Sequence, residues 1–427
     1  MAFSPTAVGR AGGLAVALGI GLGIGLGTAA LAAAAPAWAD DSRGDRDSVS
    51  SPARRSADSA GTADSAGPRS RAVAARTPAA SATSTTSATA RRGRSAAPPT
   101  VSTAAVAQPR LMLTPTGQGR YPLKSGSTGA AELSGITYGG GSTYYAVGDN
   151  GATSIFQLAT VLAAGFGWVN SATIAGGISA PGMGSDAEGI ALRPGTGTAW
   201  IADESTSTIG EFSLATGARV GAVPVPEIYR PANVQNNFGL EALSFGAGRL
   251  WTANEEALKS DGALSTTRSG TWVRLQEFGG EDVAALAQYA YRTERISALS
   301  PFTTAERSGL VDLLALPDGR VLALERELGG FLPSFRSRVY LLDFTGATDV
   351  SALPSLADGG FTPVAKRLIW QSVFLTNNFE GITLGPRLDD GTYSVLLISD
   401  DGAGEARQRQ DLFTLVLRGV RDPVSVL

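Results

Sequence analysis

The chain of 427 residues carries 35 basic and 38 acidic residues, and it contains neither His nor Cys. This composition excludes a Ser–His–Asp hydrolase, a phosphohistidine or cysteine phosphatase, and a His-ligated zinc or iron centre. Carboxylate chemistry, with or without a metal ion, is what the composition leaves open. Since disulfides are not available, the stability of the chain must come from a buried core.

The first 39 residues have the pattern of a secretory signal peptide. One positive charge in residues 1–10 precedes an apolar stretch over residues 11–35, and Ala37-Trp38-Ala39 gives a small-x-small cleavage site before Asp40. The length of the apolar stretch leaves an uncleaved membrane anchor as the alternative. We expect cleavage, a secreted, periplasmic or cell-envelope location, and no membrane span in the mature chain.

Residues 40–110 are predicted to form a disordered linker of Ser, Ala, Thr, Pro and Arg, because they cannot bury enough apolar surface to offset the entropy lost on ordering. The linker holds 11 Arg and 6 Asp, a net charge of +5, whereas residues 111–427 have a net charge of −9. An acidic domain on a basic linker does not indicate a nucleic-acid partner. The linker is either a solubilising spacer or a contact to anionic material of the cell envelope.

A short pattern then recurs in five units, each made of two apolar runs joined by a turn. The first run of each unit opens at Ser134, Glu188, Glu241, Asp312 and Glu380. The second run closes at Asp149, Asp203-Glu204, Glu255-Glu256, Glu325 and Asp400-Asp401. Such runs predict antiparallel β-hairpins, in which the start of the first strand lies beside the end of the second.

Repeated hairpins predict an all-β fold, a β-propeller built from residues 111–427. The unit starts are 54, 53, 71 and 68 residues apart, which suits four-stranded blades. Blades of ~50 residues would fill the region with about six, of which five are visible as repeats. We expect the sixth to combine the first strand after Arg110 with the strand at residues 412–417, which closes the ring. Residues 281–288 are compatible with a short helix in a loop.

A radial arrangement of the hairpins brings their acidic ends together at one mouth of the central channel. Single acidic residues at strand ends are commonly just solvated, but so many at equivalent places repel one another unless a cation intervenes. Oxygen ligands favour Ca²⁺, which we predict as the cofactor. The candidate metal ligands are Asp149, Asp186, Glu188, Asp203, Glu204, Glu255, Asp312, Glu380, Asp400 and Asp401.

Carboxylates at such a mouth could also act as a general base, and a nearby cation could neutralise the charge that develops on a substrate. The candidate catalytic residues are Glu188, Glu241, Glu325, Glu380 and Asp400. Arg326 and Lys366 are the candidate substrate-binding residues. Their alternative role is an ion pair with the acidic ring or, for either residue, a solvated surface charge.

Several motifs together resemble the phytase-like family, described as "esterase-like activity of phytase". They are Glu132-Leu-Ser-Gly-Ile136, Asp186-Ala-Glu-Gly-Ile190, Leu324-Glu-Arg326, Asn377-Asn-Phe-Glu-Gly-Ile382 and Ser399-Asp-Asp401. The resemblance covers nearly everything from Leu111 to the C-terminus. This chain has Gly402 where family members often have Asn after Ser-Asp-Asp.

The resemblance implies a secreted or periplasmic propeller whose Asp and Glu residues carry phosphodiesterase or phosphatase-type activity. We therefore expect a Ca²⁺-dependent hydrolase of phosphate esters or phosphodiesters, with a small-molecule substrate and a monomeric chain. Two alternatives remain open. One is a non-catalytic, Ca²⁺-stabilised propeller that binds a ligand or partner, and the other is a lactonase or carboxylesterase. Few basic residues accompany the acids, which counts against a highly charged substrate.

Overall fold

The structure is a computed structural model that describes residues 110–124, 128–151, 153–297, 307–329, 334–372, 377–402 and 408–421. The predicted signal peptide and all but the last residue of the predicted linker lie outside these ranges, so both stay predictions. Among the described residues there is no helix of sufficient length and apolar character to cross a membrane.

The described residues form five antiparallel sheets of four strands each. Blade 1 contains β2 (Leu133–Gly140), β3 (Thr143–Gly148), β4 (Ser154–Leu162) and β5 (Val169–Ser179). Blade 2 contains β6 (Ala187–Arg193), β7 (Thr198–Asp203), β8 (Thr208–Ser213) and β9 (Arg219–Val223). Two 3-10 helices, Glu227–Tyr229 and Pro231–Asn233, connect blades 2 and 3.

Blade 3 contains β10 (Leu240–Gly246), β11 (Arg249–Asn254), β12 (Trp272–Gly279) and β13 (Ala284–Arg292). Blade 4 contains β14 (Arg307–Ala315), β15 (Val321–Gly329), β16 (Ser334–Asp343) and β17 (Ala365–Gln371). Blade 5 contains β18 (Asn378–Arg387), β19 (Tyr393–Asp400), β20 (Asp411–Arg418) and β1 (Met112–Pro122). The short helix expected at residues 281–288 is wrong, because β13 begins at Ala284 and pairs with β12.

The fold is an all-β propeller of five blades, so the prediction of the class is confirmed and the prediction of six blades is wrong. The first and last strands do pair, with Met112 opposite Arg418 and Pro122 opposite Asp411. They complete the fifth blade rather than forming a sixth. The wide repeat spacings come instead from long connections inside blades, at residues 255–271 and 344–364.

The blades close into a ring through their inner strands. Strand β2 contacts β6, β6 contacts β10, β10 contacts β14, β14 contacts β18, and β18 contacts β2. Five apolar clusters fill the spaces between neighbouring blades, and each cluster draws residues from two of them. Strands that are covered on both faces are expected to be continuously apolar, which explains the hydrophobic runs in the repeats.

Glycine follows the first residue of three repeats, Ser134, Glu188 and Glu380, because the inner strands approach one another very closely. A Cβ atom on Gly135 would lie 2.4 Å from the carbonyl oxygen of Glu188, and one on Gly381 would lie 2.4 Å from that of Ser134. Real Cβ atoms do not approach backbone oxygens to such distances, so a side chain at either position would force the blades apart. This close contact sets the position of neighbouring inner strands relative to one another, and with it the position of the acidic residues that they carry.

Candidate functional site

One residue near the start of each inner strand is bulged out of the ladder, and in three blades this residue is acidic. The register skips one residue in the pairing of each inner strand with its neighbour. The skipped residues are Ser134, Glu188, Glu241, Val311 and Glu380. Three of the five equivalent positions are therefore acidic, and blade 4 has Val311 instead of an acid.

Asp312, expected to open the fourth repeat, lies one residue beyond this bulge. Its carboxylate accepts backbone N–H bonds from Leu243 at 3.3 Å, Leu313 at 2.8 Å and Ile382 at 2.8 Å. Burial raises the pKa of Asp312 well above its usual range, and the three N–H groups oppose that shift. Asp312 thus bonds the inner strands of blades 3 and 5 to that of blade 4, and the structure does not place it with the predicted metal ligands.

A second position contributes side chains from the strand next to the inner one. The residue before each bulge pairs with Gly148, Asp203, Asn254, Glu325 and Ser399. The residues that follow these partners are Asp149, Glu204, Glu255, Arg326 and Asp400. Four of them are acidic, and the fourth blade again differs because it has an arginine.

Asp203 and Glu325 occupy the earlier position and make other contacts. Oδ1 of Asp203 accepts the N–H of Thr206 at 2.8 Å and the hydroxyl of Ser205 at 2.8 Å, so it closes the turn after β7. Glu325 is completely buried and accepts bonds from Tyr291 Oη at 2.5 Å and Lys366 Nζ at 2.6 Å.

Lys366 belongs to this separate cluster on the outer strands. Its Nζ lies 3.1 Å from Oε1 of Glu294, 4.9 Å from the ring centroid of Tyr291 and 4.3 Å from that of Tyr340. The positive charge of Lys366 is therefore paired with Glu294 and with the buried carboxylate of Glu325. The structure therefore does not bring this predicted catalytic and substrate-binding pair to the mouth.

The mouth itself is lined by eight carboxylates that we call the acid cluster: Asp149, Asp186, Glu188, Glu204, Glu241, Glu255, Glu380 and Asp400. Two triads within it bring one oxygen of each member within 4.8 Å of the others. The triads are Asp149–Asp186–Glu188 and Glu188–Glu204–Glu241. Glu188 belongs to both and lies at the centre of the acid cluster.

Burial and mutual repulsion raise the pKa of several of these carboxyl groups. Burial, together with the charges of Glu241 and Asp149, raises the pKa of Glu188 well above its usual range. Burial and the nearby carboxylates of Asp400 and Glu380 raise the pKa of Asp149 to about 9. Without a cation, several of these groups would therefore be protonated at neutral pH.

Arg326 lies inside the acid cluster and forms ion pairs with it, which is the alternative to substrate binding that the sequence left open. Its Nη2 donates to Oε1 of Glu255 and to Oε1 of Glu380, each at 3.0 Å. Burial lowers the pKa of Arg326, but the carboxylates of Glu255, Glu380 and Glu241 outweigh burial and raise it. With 5% of its surface exposed, Arg326 is enclosed by protein rather than presented to a substrate.

Three further residues at the mouth escaped the sequence analysis as site residues. Arg307 lies over the ring of Phe238 at 4.9 Å, and burial lowers its pKa to about 10. Nδ2 of Asn378 donates to Glu380 Oε1 at 2.9 Å and to Asp400 Oδ2 at 3.1 Å. Glu132 contributes to the raised pKa of Asp149. The sequence could have indicated Asn378, because it lies two residues before Glu380 in the repeated motif. Arg307 lies outside the repeated pattern.

Asp401, also a predicted metal ligand, caps the backbone at the rim. Its Oδ1 accepts the N–H of Glu132 at 2.8 Å. Glu132 has φ of 49°, a left-handed conformation that is uncommon for a residue other than glycine. Asp401 therefore holds the strained entry to β2. Gly402, where family members often have Asn, donates its N–H to Oδ1 of Asp400 at 2.8 Å.

The donor set fits a hard divalent cation. Every candidate ligand offers oxygen, and carboxylate oxygen suits Ca²⁺. Asp149 Oδ1, in the acid cluster, is buried without a hydrogen-bond partner, and so are two oxygen atoms of inner-strand residues, Ser134 Oγ and Asn378 Oδ1. A buried acceptor is costly when nothing donates to it, and a cation would remove that cost.

The fold and site together define a five-bladed β-propeller with buried carboxylates at one mouth. The family model "Phytase-like: Esterase-like activity of phytase" matches residues 128–403. The chain belongs to this family, which confirms the resemblance of its motifs. A comparison with curated proteins finds none that matches.

Solved structures show only distant likeness. Hydrazine synthase of Kuenenia stuttgartiensis is 10% identical, with a TM-score of 0.31, over 64% of this chain and 59% of that chain. Glutaminyl cyclase of Myxococcus xanthus is 13% identical, with a TM-score of 0.32, over 73% of this chain and 98% of that chain. A protein from Lactobacillus plantarum is 12% identical, with a TM-score of 0.29, over 71% and 96% of the two chains. TM-scores this low carry no argument about function.

Proposed function

We propose that this protein is an exported, Ca²⁺-dependent hydrolase of phosphate esters or phosphodiesters that acts at the acid cluster. The observation that carries the proposal is the pair of carboxylate triads centred on Glu188, with each triad's oxygens within 4.8 Å. The family description, which names an esterase-like activity, supports the same class of reaction. The substrate is a small molecule, and neither a nucleic-acid partner nor an oligomer is part of the proposal.

Asp149, Asp186, Glu188, Glu204 and Glu241 are the residues that would hold the metal. When bound, Ca²⁺ would polarise a phosphoryl oxygen and lower the pKa of a water molecule. Of the predicted ligands, Asp203, Asp312 and Asp401 use carboxylate oxygens to bond backbone N–H groups, and we leave them out.

Glu380 would accept a proton from an attacking water. Its pKa is raised to about 8 by burial and by Asp400 and Glu255, against the opposing effect of Arg326. A general base works best when its pKa lies near the working pH. The bonds from Arg326 and Asn378 both go to Oε1, so they orient the carboxylate without engaging Oε2.

Arg307 is the basic residue suited to contact the substrate, since it is half-buried whereas Arg326 is enclosed. Its guanidinium lies near Glu255, Glu256 and Glu204, as their electrostatic effects on its pKa show. Among the residues that the structure describes, Arg307 is the half-exposed cation beside eight carboxylates, and this balance suits a substrate of low charge. A phosphodiester is therefore favoured over a polyphosphorylated compound such as phytate.

The non-catalytic alternative is supported by burial. Glu188, Glu204 and Glu241 are 8%, 4% and 4% exposed. Ions bound by such buried residues would link the inner strands of blades 2 and 3. The acid cluster would then be a structural metal site, which we call the metal clasp, beneath a ligand-binding surface. The low cationic charge of the mouth also suits a neutral ester, which keeps the lactonase or carboxylesterase alternative.

Hydrolysis of bis-p-nitrophenyl phosphate by the purified protein, with Ca²⁺ and with a chelator, tests the proposal. We expect Ca²⁺-dependent turnover that Glu380→Gln lowers at least 100-fold, as typical for loss of a general base. Glu227→Gln is the control, because that side chain is 91% exposed. Absence of turnover in protein that Ca²⁺ stabilises against heat would favour the clasp, and turnover of a lactone alone would favour the neutral-ester hydrolase. Cell fractionation tests export, which fails if the chain remains in the cytoplasm with residues 1–39 attached.

A further inference from the structure

The two carboxylate triads share one residue and are built from three blades. Asp149 comes from blade 1, Asp186, Glu188 and Glu204 come from blade 2, and Glu241 comes from blade 3. In each triad, one oxygen of every member lies within 4.8 Å of the other two oxygens. The triads are therefore adjacent sites with Glu188 between them, rather than one diffuse group of acids.

These separations match the coordination of one ion in each triad. A Ca²⁺–oxygen distance of about 2.3–2.6 Å places two ligand oxygens of the same ion at most about 5 Å apart. A carboxylate has two oxygens, so the shared residue can bind one ion with each. Two-metal hydrolytic sites place their ions about 3.5–4 Å apart, which is within the span of a bridging carboxylate.

A second observation, independent of the acids, points to cations. The Nδ2 atom of Asn378 donates to Glu380 and Asp400, which places its amide inside the acid cluster and fixes its orientation. The Oδ1 atom of that amide is buried without a partner, in a side chain that is only 6% exposed. A carboxylate can be relieved by protonation near neutral pH, but an amide oxygen needs a donor or a cation.

Ser134, in the inner strand of blade 1, has a second buried oxygen without a hydrogen-bond partner. It is 1% exposed and its Oγ has no hydrogen-bond partner. It occupies in β2 the bulge position that Glu188 occupies in β6. Asp149 Oδ1 is the third such oxygen and belongs to the first triad.

The negative charge of the two triads is also large enough to favour binding of more than one divalent ion. The five carboxylates of the triads carry a charge of −5 when ionised. The salt bridges of Arg326 go to Glu255 and Glu380, which belong to neither triad. One divalent cation would leave a net charge of −3 in a buried volume, whereas two would leave −1.

We propose that the mouth holds a dinuclear Ca²⁺ centre in which Glu188 bridges the two ions. Asp149 and Asp186 complete the ligand set of one ion, and Glu204 and Glu241 complete that of the other. The inference rests on the metal dependence of the proposed function but not on turnover, so it can be tested without a substrate.

Calorimetric titration of the chelator-treated protein with Ca²⁺ gives the number of ions directly. We expect two ions per chain. Glu188→Gln should weaken both binding steps at least tenfold, because it removes the charge from a shared ligand. Asp149→Asn and Glu241→Gln should each weaken one step and leave the other, and Glu227→Gln should change neither.

The outcomes separate this inference from the proposed function. A single ion in the wild-type protein, or loss of only one step in Glu188→Gln, overturns the bridged centre even if the protein hydrolyses bis-p-nitrophenyl phosphate. Two ions with no hydrolysis would support the centre and refute the hydrolase. If Glu188→Gln does not fold, as judged by circular dichroism, Asp149→Asn and Glu241→Gln still decide the matter. Each must weaken one binding step and leave the other, and the double variant must weaken both, for the proposal to stand.

Discussion

Arg326 occupies in blade 4 the structural position that Glu255 occupies in blade 3, and its Nη2 donates to Oε1 of Glu255 at 3.0 Å. A change of sign at one of five equivalent positions thus places a counter-ion inside a ring of like charges. The same guanidinium reaches Glu380 in blade 5 at 3.0 Å. Blades 3 and 5 are therefore connected through the side chain of the blade that lies between them.

Arg326→Gln should destabilise the fold by about 3–5 kcal/mol, the usual cost of leaving buried charges without their partner. Urea unfolding in the presence of a chelator measures this loss. Arg249→Gln is the control, because that residue pairs with Glu277 while 46% of its own side chain is exposed, and its loss should cost under about 1 kcal/mol. Equal effects of the two substitutions would contradict the role of Arg326 as the buried counter-ion.

Asp312→Ala should destabilise the protein without changing its capacity for Ca²⁺. The carboxylate serves backbone N–H groups of Leu243 and Ile382, and each buried donor left unpaired costs about 1–3 kcal/mol. Denaturant unfolding and Ca²⁺ titration together check this. Asp343→Ala removes an acceptor from Thr345 at an exposed turn and should cost much less. Loss of a bound ion with unchanged stability would return Asp312 to the set of metal ligands.

Gly381→Ala should disrupt the ring. The new Cβ atom would lie 2.4 Å from the carbonyl oxygen of Ser134 and 2.7 Å from Cγ2 of Ile398, so blades 1 and 5 would have to separate. We expect a cost of about 3 kcal/mol or more, at the upper end of the effects of overpacking. Gly176→Ala is the matched control, since a Cβ there meets no atom within 4 Å. Comparable melting temperatures for the two variants would refute the close contact.

The stability of the metal-free protein should fall as the pH rises from about 4.5 to about 9. The pKa of Glu256 is raised to about 7, mainly by burial and then by Glu255, that of Glu380 to about 8, and that of Asp149 to about 9. An unfolded chain releases these protons near pH 3.8 for Asp149 and near pH 4.5 for Glu256 and Glu380, the ordinary pKa values of Asp and Glu. The folded state retains them to higher pH, so this contribution is complete below those values and is lost as each folded-state pKa is passed.

Calcium should reverse the trend, because it favours the ionised carboxylates. Thermal unfolding at pH 5 and pH 8, with Ca²⁺ or with a chelator, is the measurement that checks both statements. We expect the stabilisation by Ca²⁺ to be larger at pH 8. A stabilisation that is larger at pH 5 would contradict the raised pKa values.

Lys366→Met should leave the KM for any substrate of this protein unchanged while destabilising the fold. The substitution removes the partner of Glu325, whose side chain is completely buried, at a cost of about 3–5 kcal/mol. Lys259→Met is a suitable control, because Nζ of Lys259 donates to the carbonyl of Ala232 at an exposed site. An increase in KM with unchanged stability would support the substrate-binding role that the sequence suggested for Lys366.

The hairpins and their convergence were predictable because repeated apolar runs and turns leave a direct imprint on the sequence. The register of the fourth repeat was not. Glu188 and Glu380 are each followed by Gly, whereas Asp312 is followed by Leu313, and this difference marks Asp312 as a residue of another kind. A shift by one residue reverses the side to which a side chain points. The prediction therefore took Glu325 as the acid of the fourth repeat, whereas Arg326, predicted as a substrate-binding residue, occupies that position at the mouth.

The number of blades could not be read from spacing alone. Insertions within a blade lengthen the repeat as much as an additional strand would. What distinguishes the two is that β20, which pairs with β1, also pairs with β19 of the fifth blade. Arg307 was missed for a similar reason. Its place beside Phe238 depends on a contact between residues 69 positions apart, which no local pattern encodes.

The pairing of β1 with β20 also sets the order of assembly. Strand β1 is among the first parts of the domain to be synthesised, but its partner spans Asp411–Arg418, close to the end of the chain. Blades 1 to 4 can form as they emerge, whereas blade 5 has to wait for the last strand to leave the ribosome. A nascent or truncated chain that stops before Asp411 would expose unpaired edges on both β1 and β19, and such edges recruit other chains. The ring can therefore close only in a chain that contains residues 411–418, because β20 pairs with both β1 and β19.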